Sequence, residues 1–190
     1  MVVDLKETVG DIVRRLDKSG VSYAFTGGVT AIHYGEPRTT QDVDVVIQIS
    51  SREDVENLIQ ALSDDYELDE DVLRIAARNH DMAQAFHRER FAKIDLHFGE
   101  LVPGEFQRVR RTELFVGVNA PIFSREDALL SKLLWIQMGS HRSRRDAVAM
   151  LRNSAPINHD FVDEMATELD VQEILREVEA LARGESTERP

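Results

Sequence analysis

The sequence predicts an α/β (α+β) protein. A small mixed central sheet with flanking helices occupies residues 1–123, and a C-terminal helical lobe packed on that core follows over residues 124–183. Two observations predict it. Short runs of β-branched and aromatic residues alternate with helical patterns up to Phe123, and every later segment with periodic apolar residues has helical spacing. At 190 residues the chain suits one sizeable core with an appended lobe and is too short for two full-size domains.

Leu5, Val9, Ile12, Val13 and Leu16 recur at helical intervals, so residues 4–18 form an amphipathic helix ended by Ser19-Gly20. Residues 21–25 follow as a short strand, then Thr26-Gly27-Gly28 and a brief helix over 29–34. Glu36-Pro37 forces an extended or turned path. Residues 42–49 are the next strand, with Asp42, Asp44 and Val46 on one side and Val43, Val45 and Ile47 on the other. Ser51 caps a helix to about residue 62, with Glu53 and Asp54 in its first turn. The acidic stretch 64–71 is expected to be exposed, with a short helix over 72–78 after it. Residues 83–88 and 91–98 read as strands joined at Glu89-Arg90, and residues 114–118 and 121–123 as a further hairpin-like piece. Ser124 caps a helix to about residue 138. From Arg142 onward the pattern is helical, punctuated by Pro156 and Asn158 and ending near Ala182, and residues 184–190 are expected to be a disordered tail.

Composition narrows the function. Hydrophobic residues at 42% and charged residues at 31% are ordinary for a globular protein. The absence of cysteine excludes a disulfide framework, a thiolate nucleophile and any cysteine-ligated metal, and a cytoplasmic location is the expectation. Neither a signal peptide nor a membrane span is expected. The net charge of −12 opposes indiscriminate nucleic-acid binding. Residues 101–152 alone are net positive, with arginines grouped at Arg108, Arg110 and Arg111 and at Arg142, Arg144, Arg145 and Arg152. A solvated face with local ion pairs is the plain reading of these groups, and a phosphate-bearing ligand the sharper one.

Asp42 and Asp44 are central to the chemistry. Two residues apart on a strand that is otherwise Val-Val-Ile, their carboxylates project from one face, where unpaired charge is costly. A divalent cation relieves that cost, because hard ions such as Mg²⁺ take carboxylate oxygens together with substrate phosphates. Asp95, between Ile94 and Leu96, repeats the pattern on another strand. Gly27-Gly28, after a strand and before a helix, suits a phosphate cradle, since backbone N–H groups there can approach an anion closely. His97 lies on the strand face of Asp95 as a candidate hydrogen-bond partner. His80 and His87 read as surface residues, and Trp135, with Leu130, Leu133, Leu134 and Met138, as helix core.

The order of these motifs, TGG at 26–28, DVD at 42–44 and IDL at 94–96, resembles the polymerase-beta-like nucleotidyltransferase superfamily. RTTQDVDVVI is similar to the Arg-x-Thr-x-Asp-x-Asp pattern of its small bacterial branches. SREDALLSKLLW and RSRRDAVAML look like the lysine helix and Arg-Asp motif of AbiEii-type toxins and related minimal nucleotidyltransferases. The resemblance implies the nucleotidyltransferase fold and a Mg²⁺-dependent transfer of a nucleoside monophosphate from a nucleoside triphosphate to a hydroxyl acceptor. It implies that Asp42, Asp44 and Asp95 hold two Mg²⁺ ions, that Thr26, Gly27 and Gly28 bind the terminal phosphates, and that Arg38 and Lys132 reach the triphosphate. It implies further that Asp146 orients Lys132 or a nearby arginine, that a cognate antitoxin is a partner, and that an RNA end such as that of a transfer RNA is a candidate acceptor, with a small-molecule hydroxyl or a protein side chain equally compatible with the metal site. The alternative is a nucleotide- or partner-binding module of a toxin–antitoxin pair without turnover.

Overall fold

The computed structural model describes residues 4–40, 42–90 and 92–185. The elements in chain order are α1 (Leu5–Ser19), β1 (Ser22–Phe25), α2 (Gly27–Tyr34), β2 (Asp42–Gln48), α3 (Arg52–Leu62), β3 (Tyr66–Leu68), α4 (Glu70–Asn79), β4 (Met82–His87), β5 (Lys93–Phe98), β6 (Arg110–Phe115), β7 (Val118–Ile122), α5 (Arg125–Gln137), α6 (His141–Arg152), α7 (His159–Glu168) and α8 (Gln172–Ala182). The chain divides into two compact units, Met1–Val29 with Thr39–Phe123, and Thr30–Arg38 with Ser124–Pro190. Residues 30–38, expected within the core, thus group with the helices. Of the tail expected over 184–190, residues 186–190 lie outside the described residues, as does Phe91 of the expected strand 91–98.

The first unit carries a seven-stranded mixed sheet in the order β3-β4-β5-β2-β1-β7-β6. β2 runs parallel to β5 and β1 parallel to β7, and the remaining neighbours are antiparallel. α1 and α4 pack against this sheet, and α3 packs against both of these helices. The cause is in the alternation: Val43, Val45 and Ile47 of β2, Ile94 and Leu96 of β5 and Ala83 and Ala85 of β4 share one fully apolar face. Val9, Ile12 and Leu16 of α1, Leu58 and Leu62 of α3 and Leu73 of α4 are equally buried. α1 starts where the Asp4 carboxylate accepts from the Glu7 amide at 3.0 Å and stops at Gly20 in the left-handed region. α3 has a full capping box between Ser51 and Asp54.

Two strands escape the sequence pattern. β3 falls within the acidic stretch expected to be exposed, yet Tyr66 is fully buried and stacks edge-on against His87 at 4.9 Å. His87, expected at the surface, is therefore interior, where its Nδ1 accepts from the Glu89 and Arg90 amides and shapes the turn. β6 begins at Arg110, earlier than expected, because an edge strand keeps charged side chains outward and so lacks alternation. Arg111 there donates to both oxygens of Asp17, at 3.0 and 2.7 Å. Val46, on the face of Asp42 and Asp44, is buried against Ala24 and Phe123, which Phe106 meets edge-on at 5.4 Å.

The second unit is helical apart from its loops. Ser124 caps α5 and Ser140 caps α6. Arg125, almost wholly buried, donates to Ala155 O at 2.6 Å, to Asn153 O at 2.8 Å and to Met150 O, so its guanidinium satisfies carbonyls at and beyond the end of α6. Arg152 donates likewise to Leu181 and Ala182 at the end of α8, and Arg144 pairs with Glu177 at 2.7 Å. With Arg108 donating to Pro103 O, these contacts favour the plain reading for much of the arginine-rich block. Leu130 and Leu133 are interior as expected, but Trp135 is 39% and Met138 61% exposed, because they fall on the outer side of α5. Among the described residues no helix is long and apolar enough to cross a membrane.

Asp11 of α1 ties the first unit together. Its buried carboxylate accepts from Arg14 at 3.0 Å, Arg15 at 3.0 Å and the Tyr66 hydroxyl at 2.9 Å, and Arg15 also pairs with Asp65. Burial raises the Asp11 pKa, but the hydrogen bonds from Arg15 and Tyr66 and the arginine charges outweigh it and leave the group below its ordinary 3.8. A depressed folded-state pKa stabilises above the unfolded value and is lost as pH falls through the folded one. Asp11→Asn is therefore expected to cost about 2 kcal/mol at neutral pH, with the deficit narrowing only below the carboxylate range, as urea unfolding from pH 7 down to pH 3 will show.

Candidate active site

The parallel register of β2 and β5 sets Asp42 opposite Lys93 and Asp44 opposite Asp95. Directly registered residues on neighbouring strands point to the same face. Asp42, Asp44 and Asp95 therefore share the sheet face opposite the apolar one, as the sequence requires of a common site. Lys93 Nζ is 2.8 Å from Asp95 Oδ2 and 3.5 Å from Asp42 Oδ1. The antiparallel pairing of β4 puts Gln84 opposite Asp95, and its Nε2 donates to Asp95 Oδ1 at 2.9 Å. His97 Nε2 lies 3.5 Å from Asp44 Oδ1, a neighbour that spacing along β5 does not reveal. Along one strand, side chains two residues apart stand side by side, whereas His97 reaches across to β2. Among the described residues no group of three or more carboxylate or imidazole side chains is already gathered as a ligand set, since the Lys93 ammonium stands between Asp42 and Asp95.

Asp44 is fixed from the other side by the diglycine bend. Thr26 N donates to Asp44 O at 3.1 Å and Gly28 N to Asp44 Oδ2 at 3.3 Å, the latter at the amino end of α2. The bend expected to cradle phosphate thus admits a carboxylate here. Gly27 has φ +60°, and a Cβ there would lie 2.0 Å from Asp44 Oδ2. A Cβ on Gly28 would lie 2.6 Å from Thr40 Oγ1, which itself donates to Asp42 O at 3.1 Å. Both glycines are required by close approach, and Gly27 by its dihedral angle as well. Thr26 is itself buried.

The remaining predicted residues meet in the second unit. Asp146 accepts from Arg38 Nε at 2.8 Å and Nη2 at 2.9 Å, a bidentate pair, and from Lys132 Nζ at 3.0 Å. Lys132 and Asp146 are almost wholly buried, on α5 and α6. Asp146 thus contacts both the lysine and the arginine, where either one was expected.

Sequence reasoning missed Lys93 and Gln84. Lys93 was detectable, because a lysine two residues before Asp95 must share its face. Gln84 was not, since only the pairing of β4 with β5 brings it to Asp95. On the donor chemistry, three carboxylates on one face suit a hard divalent cation, and the bridging ammonium shows that positive charge is stabilised there.

The seven-stranded mixed sheet thus carries paired aspartates on one strand, a third on its parallel neighbour and a diglycine bend against them. Residues 11–178 match the family described as nucleotidyl transferase AbiEii toxin of type IV toxin–antitoxin systems, and the chain belongs to that family. Solved structures agree on the fold. An antigenic nucleotidyltransferase-like protein from Paracoccidioides brasiliensis is 21% identical with a TM-score of 0.57, covering 93% of each chain. The antibiotic-resistance factor ANT(2'')-Ia is 12% identical at 0.58, over 90% of this chain and 95% of its own. The lincomycin-bound lincosamide antibiotic adenylyltransferase LnuA is 17% identical at 0.54, over 79% and 98%. No curated protein matches the chain.

Alanine at two left-handed glycines separates backbone strain from close approach. Gly20 has φ +75°, and a Cβ there would meet nothing within 4 Å, so Gly20→Ala is expected to cost about 1 kcal/mol. Gly27→Ala adds the clash with Asp44 and is expected to cost at least about twice as much, measured as the difference in urea unfolding free energy.

Proposed function

We propose that this nucleotidyltransferase moves a nucleoside monophosphate from a nucleoside triphosphate to a hydroxyl acceptor with Mg²⁺ as cofactor. The observation that carries the reading is the presence of Asp42, Asp44 and Asp95 on one face of adjacent parallel strands. Asp42, Asp44 and Asp95 would hold Mg²⁺, as two ions, and the metal would supply charge neutralisation at the transferred phosphoryl group and the departing pyrophosphate. The acceptor oxygen attacks the α-phosphorus, the bond to the bridging oxygen of pyrophosphate breaks, and the hydroxyl proton passes to Asp95. Thr26 and the amides of Gly27 and Gly28 bind the terminal phosphates. Within the second unit, Arg38 and Lys132 hold positive charge of the kind that suits phosphate oxygens, and Asp146 positions both. In this reading positioning and charge neutralisation supply most of the rate.

Membership in a toxin–antitoxin family supports a cognate antitoxin as partner, and the proposal includes an RNA end as acceptor and a cytoplasmic setting. The Lys93 bridge favours a second reading, a nucleotide- or partner-binding module without turnover, because it offsets part of the acids' charge with no metal.

Incubation with Mg²⁺, each α-labelled nucleoside triphosphate and total RNA decides between them. Label transfer with release of pyrophosphate is expected, and Asp44→Ala is expected to cut it at least about a hundredfold, the scale on which loss of one charge-stabilising group is felt. A thermal melt of the variant establishes that it is folded. Nucleotide binding with no pyrophosphate release from the wild-type protein would sink catalysis and leave the binding module.

A further inference from the structure

Three carboxylates on one sheet face repel one another, and their protein partners are unequal. Asp95 has a neutral donor, Gln84 Nε2 on Oδ1 at 2.9 Å, and a cationic one, Lys93 Nζ on Oδ2 at 2.8 Å. Asp44 has the Gly28 amide on Oδ2 and His97 facing Oδ1. Asp42 Oδ1 has Lys93 at 3.5 Å. The one ammonium therefore spans the two strands and joins the carboxylates of Asp42 and Asp95.

The contacts of Lys93 are geometric: its ammonium is 2.8 Å from Asp95 Oδ2 and 3.5 Å from Asp42 Oδ1, and opposite charges at that separation attract. The side chain is 27% exposed and ends a four-carbon stem, so the ammonium has room to withdraw by rotation about its own bonds. A cation that spans two carboxylates and is free to leave has the properties of an exchangeable counter-ion.

We propose that Lys93 is a positioning residue, an internal counter-cation that holds Asp42 and Asp95 together in the metal-free protein and yields its place when a divalent cation enters. The proposal rests on the metal-dependent reading above. It implies that the protein trades metal affinity for an ordered metal-free site, since every metal ion bound must first displace an ammonium already there. It implies as well that removal of the charge has opposite effects on the two states, weakening the metal-free site and strengthening metal binding.

Mn²⁺ alone is the probe, its free concentration read by electron paramagnetic resonance, with thermal melting of the same samples in chelator and in Mn²⁺. Lys93→Met keeps the length of the stem and removes the charge. The expected result is a melting temperature in chelator lowered by roughly 3 °C, a Kd for Mn²⁺ lowered about tenfold, and a larger rise in melting temperature on adding Mn²⁺ than the wild type shows. Lys93→Arg is expected to return both quantities toward wild-type values, and Lys93→Gln repeats the measurement should the methionine variant fail to fold. An unchanged or weaker Kd in Lys93→Met, with wild type binding Mn²⁺ normally, would overturn the role of Lys93 and leave the metal-dependent reading intact. A wild type and a variant that both fail to bind Mn²⁺ saturably would overturn the metal-dependent reading itself.

Discussion

The register of β2 against β5 is the constraint on which the candidate active site depends. Strands paired in parallel with Asp44 opposite Asp95 must place both carboxylates on one face, and Asp42 follows because it lies two residues before Asp44. A slip of one residue would turn Asp95 into the apolar layer beneath and bring Ile94 or Leu96 out in its place. That slip is opposed by the other face, where Val43, Val45, Ile47, Ile94 and Leu96 are all fully buried. The apolar side of the sheet thus fixes the geometry of the charged side. The carboxylates themselves contribute repulsion, which Lys93, Gln84 and the Gly28 amide offset.

The diglycine bend is the second constraint, and it acts through what is missing from it. Asp44 lies where a side chain on Gly27 would stand, so the bend and the carboxylate fit together only because Gly27 has no Cβ. The left-handed φ of Gly27 and the bond from the Gly28 amide to Asp44 have the same consequence: the amino end of α2 faces a negative charge. A helix start that accepts a carboxylate has the electrostatic character that also suits a phosphate oxygen. The same geometry therefore positions Asp44 and supports the role proposed for the bend toward the triphosphate.

Much of this was legible in the sequence where a single element carried the signal. The pattern of β2 gave its face, Ser51 and Ser124 marked helix starts, and Ile94 and Leu96 around Asp95 identified a buried strand. What escaped depended on pairing. β3 has three residues in an acidic run, and Tyr66 is buried because β4 lies beside it and Asp11 beneath its hydroxyl, neither of which local spacing encodes. Gln84 is an exposed polar residue of β4, and only the pairing with β5 brings its amide to Asp95. The approach of His97 to Asp44 is hidden for the same reason, since distance along a strand is visible in the sequence and distance across a sheet is not. On α5, apolar spacing runs past the buried stripe, so Trp135 and Met138 look interior although they face outward.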